Sequence, residues 1–375
     1  MILKNMTYFT GEIFLKGQMV RLGDGIVKET GVNLIPDPEE EVVDLEEDYL
    51  VPGFVDVHIH AFQGSDTMQG EDAVRSMSRG LSREGVAAFC PTTMSASAED
   101  TCSAVAGIRA VMQRQEPGGA KVLGANLESP FLSEAKAGAQ RKEFFSDPSW
   151  ETLLLYTGGD VSPVKLITIA PERAGSEAFI KRARSAGIHV SLGHTAADAE
   201  KVHEAADWGA DHATHLFNAM TPLKHREPGV PGAALTDDRL YCEMICDGVH
   251  LHRDVIRLIV RAKGFDRTVA ITDAMEAAGM PDGEYELGGQ KVFVRGNEAR
   301  LRDGTLAGSV LTMPKALENL IHRFDIAPAA ACKMCTSAPA VSIGEKLMGR
   351  ILPGAPAMMT VWTKDWHMKR VVNAT

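Results

Sequence analysis

The sequence predicts a (β/α)8 barrel, and three observations lead to that α/β fold class. Apolar runs of four to eight residues, bounded by polar residues or by Gly and Pro, recur eight times and indicate buried strands. Most are separated by stretches in which small and apolar residues repeat at i, i+3 and i+4, as in helices. Metal-binding or proton-transfer side chains follow several of the strands, as they do at the catalytic end of such barrels.

The predicted strands and helices alternate along the middle of the chain. The strands are near-continuous apolar runs, which is typical of strands buried on both faces. They cover residues 54–58, 86–91, 122–127, 164–169, 188–192, 211–216, 240–246 and 268–272. The clearest predicted helices cover residues 73–84, 98–114, 176–186, 197–208 and 253–263.

The two ends of the chain show a different pattern. Residues 1–51 and 345–375 contain short alternating segments separated by Gly, Asp and Pro, which predicts β-strands. We therefore expect one small β-sandwich built from both chain termini, beside a metal-dependent barrel over residues 52–344. Within the barrel region, residues 282–307 hold three short strand candidates and predict an insertion near the active face.

Length, composition and charge favour some classes of protein over others. A chain of 375 residues that is 45% hydrophobic suits a barrel with a smaller appendage. No long apolar stretch and no signal-peptide pattern is evident, so we expect a cytoplasmic protein. The net charge of −11 argues against nucleic acid or a membrane as partner. Six cysteines lack the spacing of a disulfide framework, and reduced thiols are expected.

Candidate metal ligands and proton-transfer groups end five of the predicted strands. An HxH pair on one strand places both imidazoles on the same face, and single residues end four other strands. These residues are His58, His60, Glu128, His194, His215 and Asp273. In a barrel they meet at one pocket. Two imidazoles and a carboxylate leave a coordination position for water, and a second carboxylate can exchange protons with that water and with a leaving amine. The pattern favours metal-assisted amide hydrolysis.

Two further features lie on the side of the barrel where these residues are expected. His250 follows the seventh predicted strand at a depth suited to a substrate contact. Lys224, His225 and Arg226 form the most concentrated basic cluster in a loop after the sixth strand. Such clusters are commonly only solvated, but an anionic substrate would require local positive charge in a chain this acidic.

With these residues in place, the chain resembles the N-acetylglucosamine-6-phosphate deacetylase family of the amidohydrolase superfamily. Residues 51–60, VPGFVDVHIH, resemble the first-strand motif of the superfamily. Narrower similarity to the deacetylases comes from six short segments at residues 127–132, 192–195, 215–220, 226–229, 247–250 and 306–309. The resemblance runs nearly from end to end.

The resemblance implies a metal centre and its catalytic group. Glu128, His194 and His215 would hold the catalytic divalent metal, and His58 and His60 allow a second ion. One or two ions per subunit are expected, with zinc first and Fe, Mn or Co as alternatives. Asp273 would be the acid/base residue. The implied reaction converts N-acetylglucosamine 6-phosphate to glucosamine 6-phosphate and acetate, a step of amino-sugar metabolism.

The resemblance also implies substrate contacts and a homodimer. Arg226 matches the arginine that binds the 6-phosphate in the neighbouring subunit's site, a role that suits a bidentate guanidinium. The residues expected to contact substrate are Ala139, Gln140, Asn218, Ala219, Arg226, His250, Leu306, Ala307 and Gly308.

Two departures from the family pattern keep other functions open. Gln140 replaces a histidine that contacts substrate, so N-acetylgalactosamine 6-phosphate is an alternative substrate, and Ser129 replaces a glycine. Cyclic-amide hydrolases of the superfamily are a further alternative, but they typically use a carbamylated strand-end lysine, and Lys165 falls near a strand start. The last alternative is a non-catalytic sugar-phosphate-binding paralogue.

Overall fold

The computed structural model describes residues 1–374, which begin with seven short strands. Buried and less buried side chains alternate along several of them, as in β4, so that one face of each sheet packs inward. The seven strands are β1 (Ile2–Lys4), β2 (Thr7–Phe9), β3 (Phe14–Lys16), β4 (Met19–Gly23), β5 (Ile26–Gly31), β6 (Val42–Asp44) and β7 (Tyr49–Pro52).

The first strands combine with the last two strands of the chain, β22 (Met358–Trp362) and β23 (Met368–Asn373). One sheet has the order β5-β4-β1-β6 and the other the order β23-β22-β7-β2-β3. Apolar side chains from both chain ends form a common core that includes Leu3, Val20 and Met359. This architecture agrees with the predicted sandwich, while the boundaries after residues 51 and 344 stay a prediction.

The strands of the central region follow in chain order. Most are buried along their whole length, as predicted from their continuous apolar runs. They are β8 (Phe54–Ile59), β9 (Ala61–Phe62), β10 (Ser65–Asp66), β11 (Val86–Thr93), β12 (Lys121–Val122), β13 (Ala125–Leu127), β14 (Val164–Ile169), β15 (His189–Leu192), β16 (His212–Ala213), β17 (Tyr241–Ile245) and β18 (Thr268–Ile271). All eight predicted strands are present, and β9 and β10 form a small additional hairpin.

These strands form the predicted barrel. Parallel pairing runs from β8 to β11 and then through β13, β14, β15, β16 and β17 to β18. The barrel is nearly closed, because the main-chain N–H of Asp273 donates to the carbonyl of His58 across the remaining gap. The Asp56 carboxylate adds to this closure by accepting hydrogen bonds from Thr272 N and Oγ1. The predicted fold class is confirmed.

The helices lie between the strands and at the end of the barrel. Several begin with a side-chain cap, as at Ser97 and Asp198, whose oxygens accept a hydrogen bond from a main-chain N–H in the first turn. They are α1 (Glu71–Arg83), α2 (Ala98–Gln113), α3 (Trp150–Tyr156), α4 (Ser176–Ser185), α5 (Ala199–Trp208), α6 (Gly229–Thr236), α7 (Arg253–Lys263), α8 (Met313–Glu318), α9 (Pro328–Cys335) and α10 (Ser337–Ser342). The five predicted helices correspond to α1, α2, α4, α5 and α7, and their boundaries agree to within a few residues.

The predicted insertion is a three-stranded antiparallel sheet. Its strands are β19 (Gly283–Leu287), β20 (Gln290–Arg295) and β21 (Glu298–Leu301). Leu287, Val292 and Ala299 of this sheet pack with Met94 and Met275 of the barrel loops. The insertion is therefore held against the open end of the barrel by an apolar contact of its own.

Two predicted strands differ from the structure. The third is interrupted at Leu123 and Gly124, where Gly124 has a φ of +147° and a Cβ would lie 2.7 Å from the Lys165 Cβ. The sixth is shortened to His212–Ala213, because the chain turns into a loop before His215. Apolar character continues through both segments, so it could not mark these breaks.

Candidate active site

Six side chains predicted as metal ligands or proton carriers meet at the carboxyl ends of the barrel strands. His58 belongs to β8 and His60 follows it, and the other four directly follow β13, or come shortly after β15, β16 and β18. All are at most 7% exposed. By distance they form two triads, one of His58, His60 and Asp273 and the other of Glu128, His194 and His215. The structure thus brings the predicted set together.

Three of these residues have an unusual backbone conformation. His194, His215 and Asp273 have φ values of +46°, +27° and +49°. A side chain in this left-handed region costs about 1 kcal/mol or more, and such strain is concentrated at functional sites. At Asp273 the conformation is held by hydrogen bonds from its N–H to His58 O and from Ser309 N–H to its carbonyl. The turn at each strand end directs the side chain into the barrel mouth.

The Glu128 triad has the spacing of a metal site. Glu128 Oε1 lies 2.9 Å from His215 Nε2 and 3.3 Å from His194 Nε2, and the two nitrogens are 3.2 Å apart. Ligands about 2.0–2.1 Å from a tetrahedral ion are about 3.3–3.4 Å from each other. The donor set and its spacing therefore fit a divalent metal ion.

Glu128 also faces the triad of His58, His60 and Asp273. His60 Nε2 lies 3.2 Å from both Glu128 Oε2 and Asp273 Oδ1. His58 Nε2 lies 3.4 Å from Glu128 Oε1 and 3.6 Å from Asp273 Oδ1, and it is buried without a hydrogen-bond partner among residues 1–374. An unsatisfied buried nitrogen that faces two carboxylates fits a cation bound between them. Glu128 would therefore contribute to an ion held by either triad.

The tautomers of three histidines follow from their surroundings. The Nδ1–H groups of His194 and His60 donate to the carbonyls of Lys136 and Thr92, at 2.8 and 3.2 Å. His58 Nδ1 donates to Glu243 Oε2 at 3.0 Å. In the neutral form that binds a metal, a ring whose Nδ1 carries the proton has its lone pair on Nε2, the atom that faces the cluster. These outer contacts orient the ligands as in other metal sites.

The cluster has a strong electrostatic bias. Burial opposes ionisation of Glu128, but the His58, His194 and His215 imidazoles hold its pKa well below the usual range. Burial likewise opposes ionisation of Asp273, but hydrogen bonding to His60 and nearby imidazole charge lower its pKa. Burial lowers the pKa of His60, yet Asp273 and Glu128 outweigh it and raise that pKa to about 9. Two ionised carboxylates thus attract cations, and a metal ion that binds here displaces imidazole protons.

A cavity of about 520 Å³ opens above the cluster. Barrel loops and the three-stranded insertion form its wall. The lining residues are His60, Met94, Glu128, Ala135, Lys136, Gly138, Ala139, Gln140, His194, His215, Asn218, Ala219, His250, Asp273, Leu287, Arg300, Thr305, Leu306 and Gly308. Its size suits a small-molecule ligand, and its cationic side chains, Lys136 and Arg300, suit an anionic one.

Most predicted substrate contacts line this cavity, and two do not. Ala307 is fully buried behind the wall, where its N–H donates to the carbonyl of Ala299. Arg226 is exposed on the surface, with Nη1 2.6 Å from His225 Nε2. Within one chain Arg226 therefore does not reach the site.

Gln140 lines the cavity but contacts the metal-ligand cluster. Its Oε1 accepts a hydrogen bond of 2.8 Å from Ser95 N–H, which commits the oxygen and turns the Nε2 group toward Glu128. Nε2 donates to Glu128 Oε2 at 2.6 Å. The residue that replaces the histidine expected from the resemblance is thus tied to a carboxylate of the cluster.

Two predicted contacts are held by local hydrogen bonds. His250 Nδ1 donates to Asp247 Oδ2 at 2.7 Å, and Asp247 Oδ1 accepts from the N–H groups of Val249 and His250. This leaves His250 Nε2 for a ligand. Asn218 Nδ2 donates to the carbonyls of His215 and Leu216, which leaves Asn218 Oδ1 for a ligand.

Sequence reasoning missed three residues around the site. Lys136 and Arg300 line the cavity, and Arg300 is held by Glu298 Oε2 and the carbonyl of Gly304. Glu243 is fully buried on β17 and bonds His58. The sequence did contain a sign of this role, because a lone carboxylate inside an otherwise apolar strand is rarely buried without a partner.

A third cluster with metal-binding residue types lies at the opposite end of the barrel. It consists of His189, Asp211 and His212. Arg184 Nη1 lies 2.7 Å from Asp211 Oδ2 and 3.0 Å from His189 Nδ1, so a guanidinium already provides the positive charge. The cluster is an ion-pair network that joins the starts of β15 and β16 to α4.

Lysine does not take part in the cluster in the way the cyclic-amide alternative requires. Lys165, near the start of β14, pairs with Glu345 at 2.8 Å.

The six cysteines, all within the described part of the chain, are free thiols. None of the helices in residues 1–374 is long and apolar enough to cross a membrane.

The chain is similar in sequence to known proteins. The model described as "Amidohydrolase family" matches residues 49–374. The N-acetylglucosamine-6-phosphate deacetylase of Bacillus subtilis (strain 168) is 37% identical over 85% of this chain and 82% of its own length. The N-acetylgalactosamine-6-phosphate deacetylase of Escherichia coli O157:H7 is 33% identical over 99% of this chain and 97% of its own length.

A solved structure has nearly the same fold. It is an aspartate-to-alanine mutant of N-acetyl-D-glucosamine-6-phosphate deacetylase from Mycobacterium smegmatis, in complex with N-acetyl-D-glucosamine-6-phosphate. The TM-score is 0.91 at 30% identity, over 100% of this chain and 98% of the other. Fold and sequence thus point to the same set of relatives.

Proposed function

The chain belongs to the amidohydrolase family, and on that premise we propose that it hydrolyses N-acetylglucosamine 6-phosphate to glucosamine 6-phosphate and acetate. The observation that carries the proposal is the cluster of Glu128, His194 and His215 with Asp273 beside it, at the base of a cavity with cationic residues in its wall. Relatives named as amino-sugar-phosphate deacetylases cover most of the chain.

Members of this family depend on a divalent metal, and the cluster fits one. Glu128, His194 and His215 would hold the first ion, and His58 and His60 a second. A bound divalent ion supplies a Lewis acid that polarises a carbonyl and makes water easier to ionise. Nitrogen and carboxylate ligands suit Zn first, with Fe, Mn or Co as alternatives.

Asp273 is the proposed acid/base residue. Its carboxylate is ionised, lines the cavity and lies 3.2 Å from His60 Nε2. From this position it can accept a proton from the attacking water and later donate it to the leaving amine of the sugar. The burial of Asp273 strengthens these electrostatic interactions.

Residues around the cavity would orient the sugar phosphate. His250 Nε2 and Asn218 Oδ1 are free to bond the substrate. Ala139, Gln140, Ala219, Leu306 and Gly308 line the wall, and Ala307 supports it from behind. Lys136 and Arg300 provide positive charge within the chain. The phosphate would lie against these cations and away from the carboxylates.

A homodimer would complete the phosphate site. Arg226 is exposed and lies outside the cavity of its own chain, as expected for a side chain that serves a neighbouring subunit. A bidentate guanidinium suits a phosphate ligand. We also infer a cytoplasmic location, which the six free thiols support.

N-acetylgalactosamine 6-phosphate is the second candidate substrate. Gln140, bonded to Glu128, stands where the resemblance expects a histidine that contacts substrate. The relative from Escherichia coli O157:H7, named for that sugar phosphate, also matches over nearly the whole chain. The two sugars differ only in the orientation of one hydroxyl group.

The test is acetate release from both 6-phosphates and from unphosphorylated N-acetylglucosamine, with metal content measured on the same sample. We expect turnover of the phosphorylated sugars and a much lower kcat/KM without the phosphate. The faster of the two phosphorylated sugars identifies the physiological epimer. Metal-loaded, folded protein that releases no acetate from any of the three sugars would contradict the proposal.

A further inference from the structure

Glu243 is a fully buried carboxylate that the proposed reaction does not use. It lies in the middle of β17 and has no exposed surface. Its Oε2 accepts a hydrogen bond of 3.0 Å from His58 Nδ1 and one of 3.2 Å from the main-chain N–H of His215. Glu243 therefore contacts one residue from each triad without belonging to either.

The charge of Glu243 has little compensation nearby. Across residues 1–374 its single ion-pair partner is His58. Its other oxygen, Oε1, is buried without a hydrogen-bond partner. Burial of an incompletely paired carboxylate is costly, so such groups are retained where a positive charge lies close by. A cation on the far side of the His58 ring would supply that charge.

The far side of the His58 ring has the geometry for such a cation. Because Nδ1 is bonded to Glu243, Nε2 is the ring nitrogen that faces the cluster, and it offers a lone pair to a cation once it gives up its proton. Nε2 has no hydrogen-bond partner and faces Glu128 Oε1 at 3.4 Å and Asp273 Oδ1 at 3.6 Å. A metal ion between the three atoms can take the place of that proton and supply positive charge to both carboxylates.

His58 differs from its neighbours in the acceptor that its Nδ1–H contacts. The corresponding groups of His60 and His194 donate to neutral backbone carbonyls of Thr92 and Lys136. A carboxylate acceptor makes the imidazole a stronger ligand than a carbonyl does, and such outer partners change metal affinity by about 10–100-fold. Glu243 should therefore raise the metal affinity of the triad of His58, His60 and Asp273.

We propose that Glu243 is a positioning residue that holds His58 Nε2 toward the cluster and enables a second divalent cation to bind to His58, His60 and Asp273. This inference rests on the metal centre of the proposed function. It goes beyond that function by placing control of the second ion in a residue outside the ligand set. Loss of Glu243 would weaken binding of the second ion and leave unchanged the first ion, held by Glu128, His194 and His215.

The experiment measures metal binding directly. Metal-free protein is titrated with Zn²⁺ by calorimetry, and bound metal is counted by mass spectrometry. The Mn²⁺-loaded protein is examined by electron paramagnetic resonance for spin coupling between two ions. Glu243→Gln keeps the side-chain volume and an acceptor oxygen but removes the charge, whereas Glu243→Leu removes both.

We expect a graded loss of the second ion only. Its Kd should rise about tenfold in Glu243→Gln and about 100-fold in Glu243→Leu, while the first ion binds as in the wild type. The Mn²⁺ coupling should weaken in the same order. His58→Asn, which removes the ligand itself, provides the reference for a one-ion centre. Ser191→Ala, a buried change on β15, two strands away from β17, should leave both ions bound.

Each result separates this inference from the proposed function. Two ions bound with wild-type affinity in both Glu243 variants, or one ion only in the wild type, would overturn it. If Glu243→Leu does not fold, the affinity of Glu243→Gln for the second ion is compared with that of His58→Asn, and this comparison decides. A folded wild type that binds no ion contradicts the metal centre itself. Two bound ions without acetate release contradict the proposed substrate, while the Glu243 variants still test the role of this residue.

Discussion

Asp273 has three properties that an acid/base residue needs. It is ionised, because hydrogen bonding to His60 and the nearby imidazole charge lower its pKa against the effect of burial. It lines the cavity. Its position is held by main-chain hydrogen bonds to His58 and Ser309, despite a φ of +49°. A carboxylate fixed in this way can exchange protons with water and with an amine without a large rearrangement.

Asp273→Asn tests that role. The amide has nearly the same shape but cannot accept the proton, so kcat for deacetylation should fall by at least about 1,000-fold. Binding of one metal ion by Glu128, His194 and His215 should persist, because none of these ligands changes. Steady-state kinetics and metal analysis on the same sample check both expectations. Residual kcat within tenfold of the wild type would show that another group carries the proton.

The residue types of the site were predictable, but several of their contacts were not. Histidine and carboxylate at successive strand ends indicated a metal centre at the barrel mouth. The hydrogen bonds of Gln140 to Glu128 and of Glu243 to His58 join residues 12 and 185 positions apart. Such contacts depend on the register between strands and on loop paths, which a single sequence does not specify.

At the scale of elements, the network around Asp211 joins β15, β16 and α4 at the end of the barrel opposite the cavity. The carboxylate accepts from His189, His212, Arg184 and the main-chain N–H of Val190. Its side chain is 16% exposed. Burial opposes its ionisation, but the charges and hydrogen bonds of His212 and His189 outweigh it and lower the pKa of Asp211. The ionised form therefore stabilises the fold.

Asp211→Asn should destabilise the protein by about 2–4 kcal/mol at pH 7, because it leaves Arg184 incompletely paired. The folded pKa lies below the unfolded value of about 3.9, so this stabilisation is present above pH 4 and is lost as pH falls through the folded pKa. Chemical denaturation at pH 7 and pH 3 should thus show a smaller difference from the wild type at pH 3.

A surface ion pair provides the control for this prediction. Asp160 is 49% exposed and pairs with Arg109. Asp160→Asn should change the free energy of unfolding by less than about 1 kcal/mol. Equal losses in both variants would show that the Asp211 network has no special structural role.

The packing of α1 against α2 depends on a glycine inside a helix. A Cβ at Gly107 of α2 would lie 2.5 Å from Glu71 N and 2.7 Å from the carbonyl carbon of Gly70, at the start of α1. Backbone atoms cannot move aside as a flexible side chain does. The sequence showed only a residue that weakens helices, and the structure supplies the reason for it.

Gly107→Ala should therefore destabilise the protein by about 1–3 kcal/mol, although alanine is favoured by about 1 kcal/mol in an unpacked helix. Ser103→Ala, at an exposed position of the same helix, should be neutral or slightly stabilising. Denaturant titration of both variants measures the difference. A Gly107→Ala variant at least as stable as the wild type would mean that α1 and α2 adjust without cost.

At the scale of the whole molecule, the two ends of the chain pack together. The core shared by the two terminal sheets contains Leu3, Val20 and Leu50 from the beginning of the chain and Met359 and Val361 from its end. We propose on this basis that residues 1–51 and 345–375 form one unit beside the barrel. Neither end alone contributes enough apolar surface for an independent core.

Arg226 tests the proposed homodimer. If the guanidinium binds the phosphate in the neighbouring site, Arg226→Ala should raise KM for the phosphorylated sugar at least about tenfold and leave unphosphorylated sugar unaffected. Lys224→Ala is the control, since Lys224 is exposed in the same loop and pairs with Glu227. Equal effects of the two changes, or a monomer of full activity in sedimentation analysis, would contradict the shared site.

The sequence by itself determined the fold class, the two β-rich ends, the insertion and the residue types of the metal centre. It could do so because burial imposes a period on apolar residues, and because strand ends of a barrel share one mouth. The tertiary structure decided what depends on distance. It showed that Glu128 faces both triads, that Gln140 and Glu243 bond them, and that Arg226 lies outside its own cavity. These contacts form between residues that are far apart in the chain, so local sequence patterns cannot predict them.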